Sequence, residues 1–206
     1  MGRHLLRATL LAALGCLLMA CDTVRDETIA IDYVPSTKSA VLRGAESVSL
    51  SVIAVDKRTG LKDRISNKRG IASAVVYAGN DVIDVTRRAV QSEFKAQGFV
   101  VETGGFTVTV EVLNFYNDFR PSPWFISSIA DVALTLRVKD ANGVVVYTHA
   151  YDGVAQLSAA LNESGETAKA ALQQALASVI SQIGEDKALQ ASLLGKSGRS
   201  SRGRTS

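Results

Sequence analysis

The sequence predicts an α+β domain of two layers: a mostly antiparallel sheet with two amphipathic helices on one face, plus a short C-terminal helix. Three observations predict this class. Apolar residues alternate in several strand-length segments, recur at helical spacing in two longer segments, and flank an Asn-Gly pair that is typical of a tight hairpin. Strands joined by a tight hairpin are antiparallel, and helices with one apolar stripe each suit a sheet covered on one face.

The first strands are predicted at residues 28–33 and 47–55, where apolar and polar residues alternate, and a short one at residues 74–78. Residues 56–70 lie between them and carry six Lys and Arg residues against two Asp residues. This stretch is predicted to be a long exposed loop. A solvated charged loop is the simpler interpretation, and contact with anionic lipid headgroups is the alternative.

A helix is predicted over residues 81–97, with Asn80 as its N-cap and Gly98 just past its end. Its apolar residues occupy one arc of the helical wheel, and its Arg, Gln and Lys residues occupy the other. Glu93 falls inside the apolar arc. We interpret it as a side chain that reaches solvent or a basic partner, with a buried functional carboxylate as the alternative.

Two further strands are predicted at residues 106–112, extending toward residue 116, and at residues 129–139. A type I′ turn at Asn142-Gly143 joins the second of these to a third strand. The turn fixes the register of this hairpin. The predicted pairs are Val138 with Tyr147, Leu136 with His149, and Leu134 with Tyr151.

Two helices close the chain, one predicted over residues 166–183 and a short one over residues 186–194, ending at Gly195. Residues 28–194 are therefore predicted to form a single α+β domain without internal repeats. Residues 195–206 hold Lys and Arg among Gly and Ser, with no acid, which predicts a disordered basic tail. We interpret this tail as a solvated end, with electrostatic contact to anionic polymers as the alternative.

The N-terminus has the layout of a lipoprotein signal peptide over residues 1–20. Two arginines precede an apolar stretch that is too short to span a bilayer, and the small residue Ala20 precedes Cys21. Cleavage between Ala20 and Cys21 is predicted, with lipid on Cys21 and a spacer over residues 21–27. Two or more acyl chains would anchor the chain stably. The predicted location is a membrane of the cell envelope, facing the periplasm, with inner and outer membrane left open.

Few residues of the predicted mature chain suit catalysis. His149 is its only histidine, and Cys16 would leave with the signal peptide. A Ser–His–acid triad needs that histidine beside a serine and a carboxylate, and a zinc site needs three or four ligands. Gly104-Gly105 precedes no predicted helix and so indicates a turn rather than a phosphate loop. We therefore expect no enzyme, cofactor or metal site, and the envelope location argues against a nucleic-acid partner.

Residues 115–125 are the candidate contact surface, because they hold five of the twelve aromatic residues together with an arginine. Exposed aromatic residues and arginine dominate interface hot spots. The candidate partner contacts are Arg120, Trp124 and Phe125, with Arg58 of the basic loop. In the alternative, Phe115 and Phe125 pack in the core and Trp124 covers the end of the sheet.

Several segments together carry a family resemblance. They are Cys21, the strands TIAIDY, VSLSVIAV and FTVTVEVLNFYND, the turn DKRTG, the helix DVIDVTRRAVQSEFKAQGF, the segment IADVALTLRVKDANGVVVYTHAYDG and the helix AALQQALASVISQI. In character and spacing they resemble the YajG family of bacterial lipoproteins, over about residues 21–194. The resemblance implies an envelope lipoprotein with no assigned catalytic residues and a partner in cell-wall (muropeptide) recycling or transport.

The sequence thus predicts a membrane-anchored envelope lipoprotein that acts as a non-catalytic accessory or interaction protein with an envelope protein partner. Its oligomeric state is left open. The alternatives are a module that binds a small cell-wall or lipid-like ligand between helices and sheet, and an enzyme with an unrecognised site. A deep apolar cleft favours the ligand module, an exposed patch at Trp124 favours the protein partner, and a perturbed carboxylate such as Glu93 favours the enzyme.

Overall fold

The computed structural model describes residues 25–33, 39–60, 62–68, 74–159 and 163–200. The signal peptide, Ala20, Cys21 and residues 201–206 lie outside these ranges. The described elements are β1 (Glu27–Ile29), a 3₁₀ turn (Ala45–Ser47), β2 (Ser49–Asp56), β3 (Arg64–Lys68), β4 (Ala74–Ala78), α1 (Val82–Ala96), β5 (Val100–Val101), β6 (Phe106–Pro121), β7 (Ile126–Lys139), β8 (Val145–Ala159), α2 (Gly165–Glu185) and α3 (Lys187–Ser200).

The eight described strands form one mixed sheet in which β6 is central. One edge of β6 pairs antiparallel with β7 along its length, and β7 pairs antiparallel with β8. The opposite edge pairs in parallel with β2 over its first half and with β3 near its end. β4 and β1 extend the sheet beyond β3, and β5 extends it beyond β2. The α+β class is confirmed, with the longest pairings antiparallel and the others mostly parallel.

Both long helices cover the same face of the sheet. α1 packs on β2, and α2 packs on β7 and β8. Val110, Leu134 and Leu136 point into this layer and are fully buried together with Leu172 and Val179 of α2. Each such side chain contributes about 1.5–3 kcal/mol by leaving water. Alternate residues of the same strands lie on the uncovered face and stay partly exposed, so the two-layer prediction is confirmed.

Gly153 sets the distance between α2 and β8. A Cβ atom at this position would lie 2.3 Å from the backbone oxygen of Ala175 and 2.6 Å from Cγ2 of Val179. A close-packed interior has no room for that atom unless the helix moves away from the sheet. The absence of a side chain therefore lets α2 approach the strand.

The β7–β8 hairpin has the predicted register but a different turn. Its observed pairs are Leu134 with Tyr151, Leu136 with His149 and Val138 with Tyr147. Among the described residues only glycines have positive φ, so Asn142 cannot occupy the first central position of a type I′ turn. Instead the Gly143 N–H donates to the Asp140 carbonyl at 2.9 Å, and Gly143 has φ +78. After the turn, Val146 of β8 forms a bulge between the pairs Lys139–Val145 and Val138–Tyr147. This longer loop and the bulge compensate each other, which preserves the pairing.

The structure corrects the predicted loop over residues 56–70, because β3 forms inside it. Ile65 is fully buried, and Ser66 is buried against β6. Asn117 Nδ2 donates to Ser66 Oγ at 3.1 Å, and Ser128 Oγ donates to Asn117 Oδ1 at 2.6 Å. These buried polar groups satisfy one another, so a strand with a single apolar residue can still join the sheet.

Asp81, and not Asn80, caps α1. The Ile83 N–H donates to Asp81 Oδ1 at 2.9 Å, as an N-cap requires. Asn80 instead accepts from the Ile31 N–H at 2.9 Å and donates to the Ile31 carbonyl at 2.7 Å. Its side chain thus replaces a strand partner beyond the end of β1, which is why β1 ends at Ile29, short of the predicted boundary.

The last helix extends past its predicted end at Gly195 and reaches Ser200. Glycine costs about 1 kcal/mol in a helix interior, which is too little to end a helix by itself. The first residues of the predicted basic tail are therefore helical.

Candidate functional site

The turn between β6 and β7 forms one end of the molecule, and we call residues 120–125 the hairpin tip. The β6–β7 pairing continues to Pro121 and Ile126. Beyond it, the Ser122 N–H donates to the Phe125 carbonyl at 2.8 Å, and the Phe125 N–H donates to Ser122 Oγ at 3.2 Å. These bonds close a tight turn that holds the residues between them away from the core.

The hairpin tip exposes its aromatic residues. Trp124 is 85% exposed and Phe125 is 43% exposed, whereas Phe115 and Phe119 are buried in the core. The alternative with Phe125 in the core and Trp124 covering the sheet end is therefore wrong, although Phe115 does pack as it required. Arg120 is also exposed, and its Nε is 3.4 Å from Asp118 Oδ2.

The chain enters β1 at the same end of the sheet as the hairpin tip. The pairs that connect β1 to β6 are Glu27 with Val76, Val76 with Ser66, and Ser66 with Asn117. Through these pairings β1 runs antiparallel to β6, so the chain before Glu27 points toward the end of β6 that carries the tip. Asp26 Oδ1 also accepts a backbone N–H of β4 at 2.8 Å, which keeps the chain in this line.

A gap interrupts the sheet at the edge of β6 that faces β2 and β3. β2 pairs with β6 as far as Val112, and β3 begins to pair at Asn117. The described ladders on this edge therefore stop at Val112 and resume at Asn117, and Leu113 forms a bulge in the pairing with β7. We call the resulting cavity the sheet gap. It has a volume of about 260 Å³, and its polar lining includes Arg58, Lys62, Arg64 and Asn114.

Three cations line the sheet gap, and Asp56 forms ion pairs with two of them. Arg58 Nε and Nη2 each donate to Asp56 at 3.0 Å, and Lys62 Nζ lies 3.5 Å from Asp56 Oδ2. The hydrogen bond from Arg58 is the main reason that the pKa of Asp56 lies below its ordinary value, since it outweighs the opposing effect of burial. Arg64 Nε is buried without a hydrogen-bond partner in the part of the chain that the structure describes.

A second polar cluster joins β8 to α3. Asp186 Oδ2 accepts hydrogen bonds from the hydroxyls of Tyr147 and Tyr151, and Asp186 Oδ1 accepts from the N–H of Leu189 at 3.0 Å. Burial alone would raise the pKa of Asp186, but these bonds outweigh it and hold the pKa below its ordinary value. Burial, together with the bond to Asp186, raises the pKa of Tyr147 to about 12. The cluster is a helix cap whose hydrogen-bonding groups are satisfied, and this structural role accounts for the pKa shifts.

His149 lies on the exposed side of this cluster, at the edge strand β8. Its ring packs edge-on against Tyr151 at a centroid distance of 4.8 Å and lies 6.3 Å from Tyr147. In the described part of the chain no three His, Cys, Asp or Glu residues come together as a metal site.

Glu93 is buried, which contradicts the expectation that it reaches solvent or a basic partner. It accepts from Ser39 Oγ at 2.5 Å and from Gln97 Nε2 at 2.8 Å. Gln97 also donates to the Gly184 carbonyl at 2.9 Å, so the cluster links α1 to α2. Neutral donors surround the carboxylate and tie the two helices together, which is a structural role.

The sequence indicated Arg58 and the exposed aromatic residues but missed Asp56 and Arg64 as neighbours. Asp56 is two residues from Arg58, a signal that was available. Arg64 faces the same cavity only because β3 pairs with β6, and residues 64–68 show no strand alternation. Of the described helices none is long and apolar enough to cross a membrane.

The sequence model of a lipoprotein family described as uncharacterised matches residues 35–193. That range begins after the predicted spacer and ends inside α3, so it spans nearly all of the folded domain. No curated protein matches the chain.

Solved structures of several other proteins match this chain. A Xanthomonas campestris protein of the DUF330 family has a TM-score of 0.54 and 16% identity, over 84% of this chain and 99% of that one. A minor lipoprotein from Acinetobacter baumannii has a TM-score of 0.46 and 9% identity, over 69% of this chain and 93% of that one. At these identities the first likeness shows the fold alone.

Proposed function

Because this chain belongs to the YajG family of uncharacterised bacterial lipoproteins, we propose that it is anchored through lipid on Cys21 and binds an envelope protein as a non-catalytic accessory. The anchor places it in a membrane of the envelope. The proposed contact is the hairpin tip, with Arg120, Trp124 and Phe125 meeting a membrane protein. A partner in cell-wall recycling or transport is the one that the family resemblance implies.

The observation that carries this proposal is the position of the exposed Trp124 relative to the chain entry. The hairpin tip lies at the end of the sheet toward which the chain before Glu27 points. The six residues from Asp22 to Glu27 reach about 20 Å at most, so the tip would stay close to the membrane. Tryptophan suits this place because its ring is apolar while its N–H can meet polar groups at an interface.

The cavities support a protein contact better than an enclosed ligand site. The sheet gap and a second cavity of about 310 Å³ beside α1 are both lined largely by charged and polar residues. Small-molecule sites are usually about 300–1,000 Å³ and mostly apolar. Neither cavity has that character, while the largest exposed ring is at the hairpin tip.

A photo-crosslinking residue placed at Trp124 in living cells tests the proposal. The matched control is the same residue at Val144, which is 55% exposed in the turn at the opposite end of the hairpins. We expect position 124 to capture one membrane protein that position 144 does not capture. Trp124→Ala should then abolish co-purification of that protein, whereas Val144→Ala should not. Capture of glycan alone, or of the same species from both positions, would overturn the proposal.

A further inference from the structure

We propose that the outer edge of β8 pairs with β8 of a second copy of this chain, antiparallel, so that two sheets join into one. Three features point to this contact: the length of β8, the exposure of its outer side, and a register in which the strand is complementary to itself. The chain enters the domain at β1, on the opposite side of β6 from β8. The predicted anchor therefore leaves the contact open.

β8 is much longer than the other strands at the edges of the sheet. It spans 15 residues, whereas β1 has three and β5 has two. Natural edge strands are usually short, or carry Lys, Pro or bulges that prevent another strand from pairing. Residues 145–159 contain no Lys, Arg or Pro, Asp152 is their one acidic residue, and the bulge is confined to Val146 beside the turn. Most of β8 therefore lacks the usual protection of a free edge.

The outer side of β8 is accessible. In the part of the chain that the structure describes, β8 pairs only with β7. Gln182 Nε2 of α2 donates to the Asp152 carbonyl at 2.8 Å, so this carbonyl points away from β7. Backbone groups alternate between the two sides of a strand, so those of Ala150, Val154 and Gln156 point the same way. The side chains of these residues are exposed, as expected for a strand without an outer neighbour.

β8 is complementary to itself when a two-fold axis passes through the pair formed by Val154 and its copy. Val154 is 64% exposed, so this pairing covers an apolar side chain that otherwise faces water. In the same register Ala150 lies opposite Ser158, and Asp152 lies opposite the neutral Gln156. A register centred two residues earlier would instead set two Asp152 side chains opposite each other, where like charges destabilise the pair.

The helix layer is compatible with a second copy. α2 packs on both β7 and β8, so it lies inside the edge rather than beyond it. Joining two sheets through β8 would set the two α2 helices roughly two strand spacings, or about 10 Å, apart, which is a normal distance for packed helices. Gln182 and Ser178, one turn apart on the side of α2 that reaches the edge, are exposed and uncharged. The helices would thus meet through neutral side chains.

Oxidative crosslinking of the full mature chain in neutral detergent tests the pairing. Cys21 is the only cysteine predicted to remain after cleavage, and its sulfur would carry lipid, so Val154→Cys adds the one free thiol. Residues opposite each other in a hydrogen-bonded antiparallel pair have Cα atoms about 5.5 Å apart, which a disulfide can span. We expect copper phenanthroline to link Val154→Cys into a dimer. The wild type and Val144→Cys, which is exposed in the turn, should stay unlinked.

A second pair of variants tests the antiparallel register. Ala150→Cys and Ser158→Cys are each expected to stay unlinked when produced alone, because neither residue faces its own copy. Co-expressed, the two variants should form a mixed disulfide, since residues 150 and 158 lie opposite each other across the axis. Linking of either variant with itself, as efficient as the mixed reaction, would contradict this register.

Sedimentation equilibrium in density-matched detergent measures the association without a crosslink. We expect a wild-type dimer that Val154→Lys weakens at least fivefold, because two ammonium groups would lie opposite each other. Val144→Lys, the matched control, should leave the dissociation constant unchanged. A monomeric wild type, or equal crosslinking through Val144→Cys, would overturn the second copy as the occupant of this edge and leave a strand of another protein in its place. Neither result affects the capture at Trp124.

Discussion

The two edges of β6 are built in different ways. On one edge, β7 and β8 follow in sequence and form two long antiparallel ladders joined by turns. On the other edge, β2 and β3 come from earlier in the chain, pair in parallel over fewer residues and leave the sheet gap between them. We call the edge of β6 that pairs with β7 the hairpin edge and the edge that pairs with β2 and β3 the parallel edge. Pairing is continuous along the hairpin edge, whereas the parallel edge borders the sheet gap and its three cations.

This difference has a physical origin. A hairpin brings its own strands together, so the ladder can run without interruption. Parallel strands need long crossovers, and here the chain returns to β6 through β4, α1 and β5. β3 continues in the direction of β2 along the same edge of β6 after a connecting segment. The ladders on this edge are therefore shorter, and they stop and resume along β6.

The largest expected loss of stability comes from truncating one buried side chain on each edge. Leu136→Ala in β7 and Ile65→Ala in β3 both truncate fully buried side chains and should each cost about 2–5 kcal/mol. Because β3 and β7 share one sheet, both variants should unfold in a single transition, measured by urea denaturation with far-UV circular dichroism. A biphasic curve for Ile65→Ala would show that the parallel edge unfolds separately from the hairpin edge.

A smaller loss of stability is expected at the contact between β8 and α2. Gly153→Leu would place atoms against the backbone of α2 and should cost about 2–3 kcal/mol. Val154→Leu, at the neighbouring exposed position, should change stability by less than about 0.5 kcal/mol. Equal melting temperatures for the two variants would mean that α2 does not approach β8 as closely as we describe.

The cap between β8 and α3 makes stability depend on pH. The pKa of Asp186 is lowered in the folded chain, so its contribution is present above the ordinary carboxyl pKa and is lost as the pH falls through the lowered value. Asp186→Asn should cost about 1–2 kcal/mol near pH 7 and progressively less below about pH 4. Denaturation at several pH values measures this, with Asp152→Asn, an exposed β8 carboxylate, as control. A constant difference at every pH would contradict the assignment.

The smallest effect concerns the turn of the β7–β8 hairpin. Gly143→Val should cost about 1 kcal/mol, because Gly143 has a positive φ while an added Cβ would meet no neighbour. Asn142→Val should be nearly neutral, since Asn142 lacks positive φ. Thermal melts of both variants distinguish the observed turn from a type I′ turn, which would penalise both substitutions.

The hairpin edge could be predicted from the sequence because its information is local. Alternation in β6 and β7 and the Asn-Gly pair were enough to set Leu136 opposite His149. The predicted pairing is correct although the predicted turn type is wrong, because the bulge at Val146 offsets the longer loop. The apolar stripes of α1 and α2 likewise indicated which face they bury.

The parallel edge could not be predicted in the same way. β3 is held by buried hydrogen bonds among Ser66, Asn117 and Ser128, residues that are far apart in the chain and polar. The sheet gap depends on where β2 ends and β3 begins along β6, which no local sequence pattern encodes. The sequence left two interpretations of Trp124 open, an exposed partner contact or a cover over the end of the sheet. Only the geometry of the turn decides its exposure.

The central claim is that lipid on Cys21 holds this domain at an envelope membrane. Intact-mass measurement of the protein purified from native membranes tests it most directly. We predict a mass equal to residues 21–206 plus acyl chains, and an unprocessed, unacylated chain for Cys21→Ser. An unacylated wild-type protein that still begins at Met1 would contradict the claim.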